Sequence, residues 1–162
     1  MTLPRTPSFR LDGRRALVAG ASSGIGAACA VALAEQGAQV TLCARREPEL
    51  RALADEMRAE GLQAEILPLD ITDIAAVEAA LAGRPAFDIL VNSAGLARHS
   101  PATETTPGDY DAVTNLNTRA AYFLTRAVAK GLDGQAPLSG IMSKDVQTAS
   151  PEDDLDDVLE RM

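Results

Sequence analysis

Aromatic side chains, basic charge and long apolar runs are all scarce in this chain of 162 residues. It has no tryptophan, aromatic residues make up 3%, and the 23 acidic residues outnumber the 15 basic ones. With few rings for stacking and no basic surplus, nucleic acid is not an expected partner. No run of about 18 uncharged apolar residues and no leader pattern is present, so we expect a soluble, cytoplasmic protein with no membrane segment.

Cysteine and histidine are equally sparse. The chain has two cysteines and a single histidine, His99. Cys29 falls in a helical pattern and Cys43 in a strand pattern, where a small buried side chain explains each better than a disulfide does. We therefore expect no disulfide and no metal site.

The acidic charge is concentrated near the end of the chain. Residues 145–162 carry seven acidic side chains against one arginine, which gives −6 of the total charge of −8. This change of character predicts two parts, a domain over 1–132 and an acidic segment over 133–162. Within the second part we expect a short strand at 138–142 and an amphipathic helix that begins after Ser150.

Short apolar runs alternate with helical patterns through the first part. This alternation, with short connections, predicts an α/β fold with a doubly wound, parallel, Rossmann-like sheet. Thr72 is the expected cap of the third helix and Thr106 that of the fourth. The predicted strands are 15–19, 38–44, 64–70 and 87–91, and the predicted helices are 25–36, 48–60, 72–82 and 106–130.

The segment GASSGIG, residues 20–26, joins the first predicted strand to the first predicted helix. Glycines at such a turn let the backbone approach a ligand, and the amides at the start of a helix attract an anion. The spacing is GxxxGxG rather than the commoner GxGxxG. On its own the segment is compatible with a phosphate site and with a plain tight turn.

Four stretches together resemble the short-chain dehydrogenase/reductase family. They are LDGRRALVAGASSGIGAACAVALAEQGAQVTLCARR from residue 11, LPLDITD from 67, DILVNSAG from 88 and NLNTRAAYFLTRAV from 115. The resemblance covers about residues 9–130. It implies a truncated form of the family's fold with strand order 3-2-1-4, a dinucleotide cofactor and oxidoreductase chemistry.

The resemblance also implies a set of cofactor-binding residues, and each position has a plainer interpretation as well. Asp70 could cap a turn, Asn92 could satisfy a strand end, and Asn117 could be an exposed polar residue. The pyrophosphate would lie on Gly20, Ser22, Ser23, Gly24, Ile25 and Gly26, the adenine on Asp70 and Ile71, and the ribose beside Asn92, Ala94 and Gly95. Asn117 matches the asparagine that helps organise the family's catalytic water chain.

The residues that end the second strand favour one cofactor over the other. NAD sites usually place a carboxylate there, whereas the 2′-phosphate of NADP requires a cation. This chain has Ala44, Arg45 and Arg46, and guanidinium groups bind phosphate in fork geometry. We expect NADP, with NAD as the possible alternative; the plainer interpretation is that both arginines point into water.

The proton-transfer residues of the family are absent. The family uses a tyrosine with a lysine four residues later, but here Thr114 follows Tyr110 and Arg126 follows Tyr122 at that spacing. An arginine does not replace the compact ammonium group, and we expect Tyr122 to pack in the core. We therefore expect an NADP-binding domain without hydride transfer of its own; the alternatives are an inactive nucleotide-binding module and a truncated or recombined fragment with no independent function.

The segment 139–162 bears a shorter resemblance to the opening of a cystathionine-beta-synthase domain, over about 23 residues. So short a stretch cannot complete that domain's nucleotide pocket. In the order 3-2-1-4, the fourth strand would be an apolar edge, which invites pairing. We expect either residues 138–142 to pair there as a fifth strand or the protein to self-associate through that edge.

Overall fold

A computed structural model describes residues 8–131 and contains one parallel four-stranded sheet. The strand order is β3-β2-β1-β4, as predicted. Leu17 of β1 is level with Thr41 of β2 and Leu90 of β4, so the carboxyl ends of these three strands lie side by side. The strands are β1 (Arg15–Ala19), β2 (Gln39–Ala44), β3 (Ala64–Pro68) and β4 (Ile89–Asn92).

The helices follow the strands in alternation. Each connection from one strand to the next parallel strand contains a helix, which is the usual crossover of a doubly wound sheet. The helices are α1 (Gly24–Glu35), α2 (Glu47–Ala59), α3 (Ile74–Leu81), α4 (Pro107–Thr114) and α5 (Ala121–Gly131), with a π-helical segment, Asn115–Ala120, between the last two.

Alternate residues of β1 supply two apolar cores, one on each face of the sheet. Ala16 and Val18 pack with residues of α1 and α2, whereas Leu17 and Ala19 pack with residues of α3 and α5. Because both faces are covered, the central strands are continuously apolar rather than alternating. This two-sided core confirms the predicted fold class.

The third helix begins one residue later than expected. Asp73, not Thr72, is its N-cap, and the Asp73 carboxylate accepts a hydrogen bond from the backbone N–H of Ala76 at 3.0 Å. Thr72 is engaged elsewhere, because its hydroxyl donates to Asp70 Oδ1 at 2.7 Å. The expected cap Thr106 is correct, since its hydroxyl accepts from the N–H of Asp109 at 3.1 Å.

Among residues 8–131, β4 is paired on one side only, with β1. The predicted fifth strand at 138–142, the acidic helix and the segment 133–162 lie outside the described residues. Self-association through the β4 edge stays a prediction. Within the described part of the chain, no helix has both the length and the apolar character needed to cross a bilayer.

Candidate functional site

A cleft of about 480 Å³ opens at the carboxyl ends of the strands. In parallel sheets this edge, at the point where the strand order reverses, is where ligands bind. The order reverses here between β1 and β4, because the chain continues from β1 to β2 and β3 on one side and then crosses to β4 on the other. The cleft is lined by Gly20, Ser22, Ser23, Ile25, Cys43, Ala44, Arg45, Arg46, Leu69, Asp70, Ile71, Ser93, Ala94, Gly95 and Leu116.

The glycine loop, residues 20–26, is packed closely against the end of β4. Gly20 has φ +80°, and a Cβ there would lie 2.6 Å from the backbone N of Ala94. Gly26 is packed within the loop itself, since its Cβ would lie 2.2 Å from the carbonyl oxygen of Gly20. Gly24 differs: with φ +59°, its Cβ would meet no atom within 4 Å. Two of the three glycines therefore fix the loop, and the third leaves open space.

The first turn of α1 has no anion of its own. Its N-cap, Ser23, makes no side-chain hydrogen bond to the helix, and the first turn contains no acidic residue. By contrast, α3 and α4 are capped by Asp73 and Thr106, and α2 has two glutamates in its first turn. The unsatisfied amides and the partial positive charge at the start of α1 are thus available to a ligand.

Arg46 connects the end of β2 to the glycine loop. Its Nη2 donates hydrogen bonds of 2.9 Å to the hydroxyls of both Ser22 and Ser23. Its Nη1 lies 3.4 Å from Oε1 of Glu49, one turn further along. The guanidinium is therefore held at the mouth of the cleft with one edge on the serines and the other on a carboxylate.

Arg45 and Asp70 face each other more loosely across the cleft. Arg45 Nη1 is 4.0 Å from Asp70 Oδ2, and Asp70 Oδ1 accepts from the N–H and the hydroxyl of Thr72 at 2.9 and 2.7 Å. Desolvation is the largest single influence on the pKa of Asp70 and raises it, but the Thr72 hydrogen bonds and Arg45 together hold the pKa below its usual value. Asp70 thus remains a fixed carboxylate.

On the opposite wall, two asparagines brace the chain that leaves β4. Asn92 Oδ1 accepts from the N–H of Ala94 at 3.2 Å. Asn117 holds Leu96 twice, accepting from its N–H and donating to its carbonyl oxygen, both at 2.8 Å. Asn117 lies in the π-helical segment, a feature frequent at functional sites.

Most of the residues predicted from the sequence come together in this cleft. Gly24, Gly26, Asn92 and Asn117 do not line it. Gly26 packs against Gly20, Asn92 accepts from Ala94, and Asn117 holds Leu96, which follows the lining residue Gly95. Ile71 reaches it only at its edge, because 95% of its surface is buried in the core. The lining residues that the sequence did not indicate are Cys43, Leu69, Ser93 and Leu116.

Cys43 belongs to the floor of the cleft. Burial raises the pKa of its thiol to about 12, so it is a protonated, apolar side chain at neutral pH. Its position at the end of β2 was a signal available in the sequence, since the neighbouring Ala44, Arg45 and Arg46 were already considered there. Leu116 gave no comparable signal.

The expectation that Tyr122 packs in the core is wrong. Its side chain is 66% exposed, and its ring makes an edge-to-face contact with Phe123 at 5.3 Å between centroids. Leu124, Ala127 and Val128 form the buried face of α5 instead. Tyr110 and His99 are exposed as well, and none of the three lines the cleft.

The sequence and the fold are similar to those of known proteins. A family model described as short chain dehydrogenase matches residues 14–141. Gluconate 5-dehydrogenase of Gluconobacter oxydans is 36% identical over 152 residues, which are 88% of this chain and 58% of that protein. D-threitol dehydrogenase of Mycolicibacterium smegmatis is 40% identical over 126 residues, 75% of this chain and 48% of that protein.

A solved structure gives the same result for the fold. Gluconate 5-dehydrogenase from Burkholderia cenocepacia, crystallised with NADP and tartrate, superposes with a TM-score of 0.71 at 39% identity. The match covers 76% of this chain and 50% of that one. The chain thus spans about half the length of the relatives it matches.

Proposed function

The chain belongs to the short-chain dehydrogenase family, and we propose that it binds NADP in the cleft at the carboxyl ends of its strands, without transferring hydride on its own. The observation that carries this proposal is the start of α1. Its amides have neither a side-chain cap nor an acidic neighbour, although they follow a loop whose glycines pack it against β4. An anion is the missing partner that such a helix start favours.

The residues around the helix start fit the rest of a dinucleotide. The pyrophosphate would lie on residues 20–26, with its closest approach at the open space beside Gly24. Arg45 and Arg46 would serve the 2′-phosphate, because each offers planar donors and the cleft has no carboxylate at the end of β2 itself. Asp70 and Ile71 would contact the adenine, and Asn92, Ala94 and Gly95 the ribose.

NADP is favoured over NAD for two reasons. Two guanidinium groups at the mouth of the cleft attract a phosphate dianion, and the 39% identical gluconate 5-dehydrogenase of Burkholderia cenocepacia was crystallised with NADP. NAD remains the second candidate, since it would use the same loop and helix start. The expected contacts of the two cofactors differ only at Arg45 and Arg46, where NADP has a 2′-phosphate and NAD has a hydroxyl.

Bound NADP would supply a group that accepts hydride, and bound NADPH one that donates it, but proton transfer must come from the protein. The 162 residues contain no tyrosine with a lysine four residues later. Asn117 commits both side-chain polar atoms to Leu96 and so positions the wall rather than reacting. These observations support cofactor binding without turnover by this chain.

Isothermal titration with NADP and NAD tests the proposal. Gly61 is the matched control for Gly24: both have positive φ and open space around a Cβ, but Gly61 follows the end of α2 and is not part of the glycine loop. We expect Gly24→Ala to weaken NADP binding about tenfold, since it interferes with one charge-assisted anion contact worth about 1.4 kcal/mol. Gly61→Ala should bind NADP as the parent does, and equal affinities for the two variants would contradict the proposal.

Turnover is tested separately. The chain is mixed with NADPH and a panel of small ketones, and with NADP and the matching alcohols, while nicotinamide absorbance is followed. We expect no protein-dependent change. Turnover that is abolished by Tyr122→Phe or His99→Ala would show that another acid performs the proton transfer, and the proposed inactivity would be wrong.

A further inference from the structure

The contacts of Arg46 suggest how the 2′-phosphate of a cofactor is selected. We propose that Glu49 is an internal competitor of that phosphate: its carboxylate occupies Arg46 when the cleft is empty and must leave when a 2′-phosphate binds. The inference rests on the proposed NADP function and assigns a specificity role to an acidic residue outside the glycine loop.

The two terminal nitrogens of the Arg46 guanidinium have different partners, two serine hydroxyls at Nη2 and a carboxylate at Nη1. Nη2 is held by the hydroxyls of Ser22 and Ser23, so the group cannot rotate freely. The remaining edge, at Nη1, faces Glu49 Oε1 at 3.4 Å. A phosphate that binds this cation while the serines keep Nη2 must use Nη1, the nitrogen that faces Glu49, so phosphate and carboxylate exclude each other there.

Glu49 is free to leave because nothing else holds it. Among residues 8–131 its carboxylate has no hydrogen bond or ion pair other than the one with Arg46. The Glu49 side chain is 42% exposed and the Arg46 side chain 54%. Asp70, which faces Arg45, is about as exposed, at 44%, but its contacts differ. It is 4.0 Å from its arginine and is tied down by Thr72. Competition is therefore expected at Arg46 and not at Arg45.

The same helix turn offers a matched control. Glu47 and Glu49 both lie in the first turn of α2, where a negative charge stabilises the helix. Neither glutamate lines the cleft, but Glu47 pairs with Arg51, whereas Glu49 pairs with Arg46. Glu47→Gln and Glu49→Gln therefore remove the same charge and the same interaction with the helix dipole, and only Glu49→Gln frees Arg46.

The experiment titrates the 162-residue chain with two probes, adenosine 2′,5′-bisphosphate and adenosine 5′-monophosphate, by calorimetry. Neither probe has a nicotinamide, so the result does not depend on turnover. We expect Glu49→Gln to tighten bisphosphate binding about two- to fivefold, the scale of an exposed ion pair, and to leave monophosphate binding unchanged. Glu47→Gln should change neither, and in an Arg46→Ala background the gain from Glu49→Gln should vanish.

The outcomes separate the two proposals. Suppose that the parent chain prefers the bisphosphate and loses this preference in Arg46→Ala, but Glu49→Gln binds the bisphosphate no better than Glu47→Gln does. The proposal that Glu49 competes with the phosphate is then wrong, and the proposed NADP function stands. A gain that persists in the Arg46→Ala background also overturns the competitor, because the effect would then be general electrostatics. If the parent chain binds neither probe, the NADP function fails and the competitor fails with it.

Discussion

Replacing Gly20 by alanine tests whether the glycine loop is fixed by its contact with β4. Gly20 and Gly61 have nearly equal φ values, +80° and +81°, but only Gly20 would place a Cβ against backbone, 2.6 Å from Ala94 N and from Ser93 C. The left-handed conformation costs an alanine about 1–2 kcal/mol, partly offset by about 0.4–1 kcal/mol from the stiffer unfolded chain. Gly61→Ala should therefore lower the free energy of unfolding by about 1 kcal/mol.

Gly20→Ala carries the same conformational cost and an overlap that no side-chain rotation relieves. Overpacking costs about 1–3 kcal/mol, so the expected total is about 2–4 kcal/mol. Urea unfolding followed by far-UV circular dichroism measures the difference, because a gap of about 2 kcal/mol separates the midpoints by about 1 M at an ordinary slope. Equal midpoints for the two variants would refute the close approach of the loop to β4.

Three further predictions follow from the described residues. Burial raises the pKa of the Cys43 thiol to about 12, so Cys43 should not react with iodoacetamide at pH 8 until urea unfolds the chain. The half-buried Cys29 should react in the folded chain. Mass spectrometry that maps the alkylated cysteines measures both. Asn117→Ala removes both hydrogen bonds to Leu96, so hydrogen exchange at the Leu96 amide should accelerate about tenfold or more. The hydrogen bond from the N–H of Arg15 and then a neighbouring guanidinium lower the pKa of Asp88 in the folded chain. The Asp88 carboxylate therefore stabilises the fold above about pH 4, and this contribution is lost as the pH falls through the pKa of the folded state. Asp88→Asn should reduce the loss of the free energy of unfolding at acid pH, and an unchanged acid limb of the stability curve would contradict this.

The central strands β1 and β2 were predictable because burial on both faces leaves them mostly apolar. β1 has the predicted bounds, Arg15–Ala19. Strand β2 begins one residue later than predicted, β3 ends two residues earlier, and β4 begins two residues later and ends one residue later. Pro68 ends β3, as expected of a residue that cannot donate to the ladder. The parallel order follows from the alternation with helices, and the residues after each strand end therefore converge on one cleft.

The π-helical segment Asn115–Ala120 could not be predicted from the sequence. One extra residue in a helix hardly changes its apolar spacing, and the contact of Asn117 with Leu96 spans 21 residues. The prediction that Tyr122 packs in the core was wrong for a different reason. It lies two residues from Leu124, about 200° around the helix, so the face that buries Leu124 turns Tyr122 outward.

The cap of α3 shows how a local rule depends on its neighbours. Thr72 and Asp73 are both good capping residues, and the sequence does not decide between them. Asp70 accepts the hydroxyl of Thr72, which leaves Asp73 to accept from Ala76. The contact of Arg46 with Glu49 was likewise unforeseen, because the sequence shows two arginines at the strand end but not which carboxylate meets them.

Amide NMR spectra of the isotope-labelled chain, recorded during titration with NADP, test the central claim most directly. The claim is that the start of α1 and the loop before it receive the diphosphate. We expect the largest saturable shift changes at the amides of residues 22–26, with smaller ones at Arg46 and at Ala94 and Gly95. Saturable binding whose largest changes lie at the amino ends of the strands, or no change at residues 22–26, would contradict it.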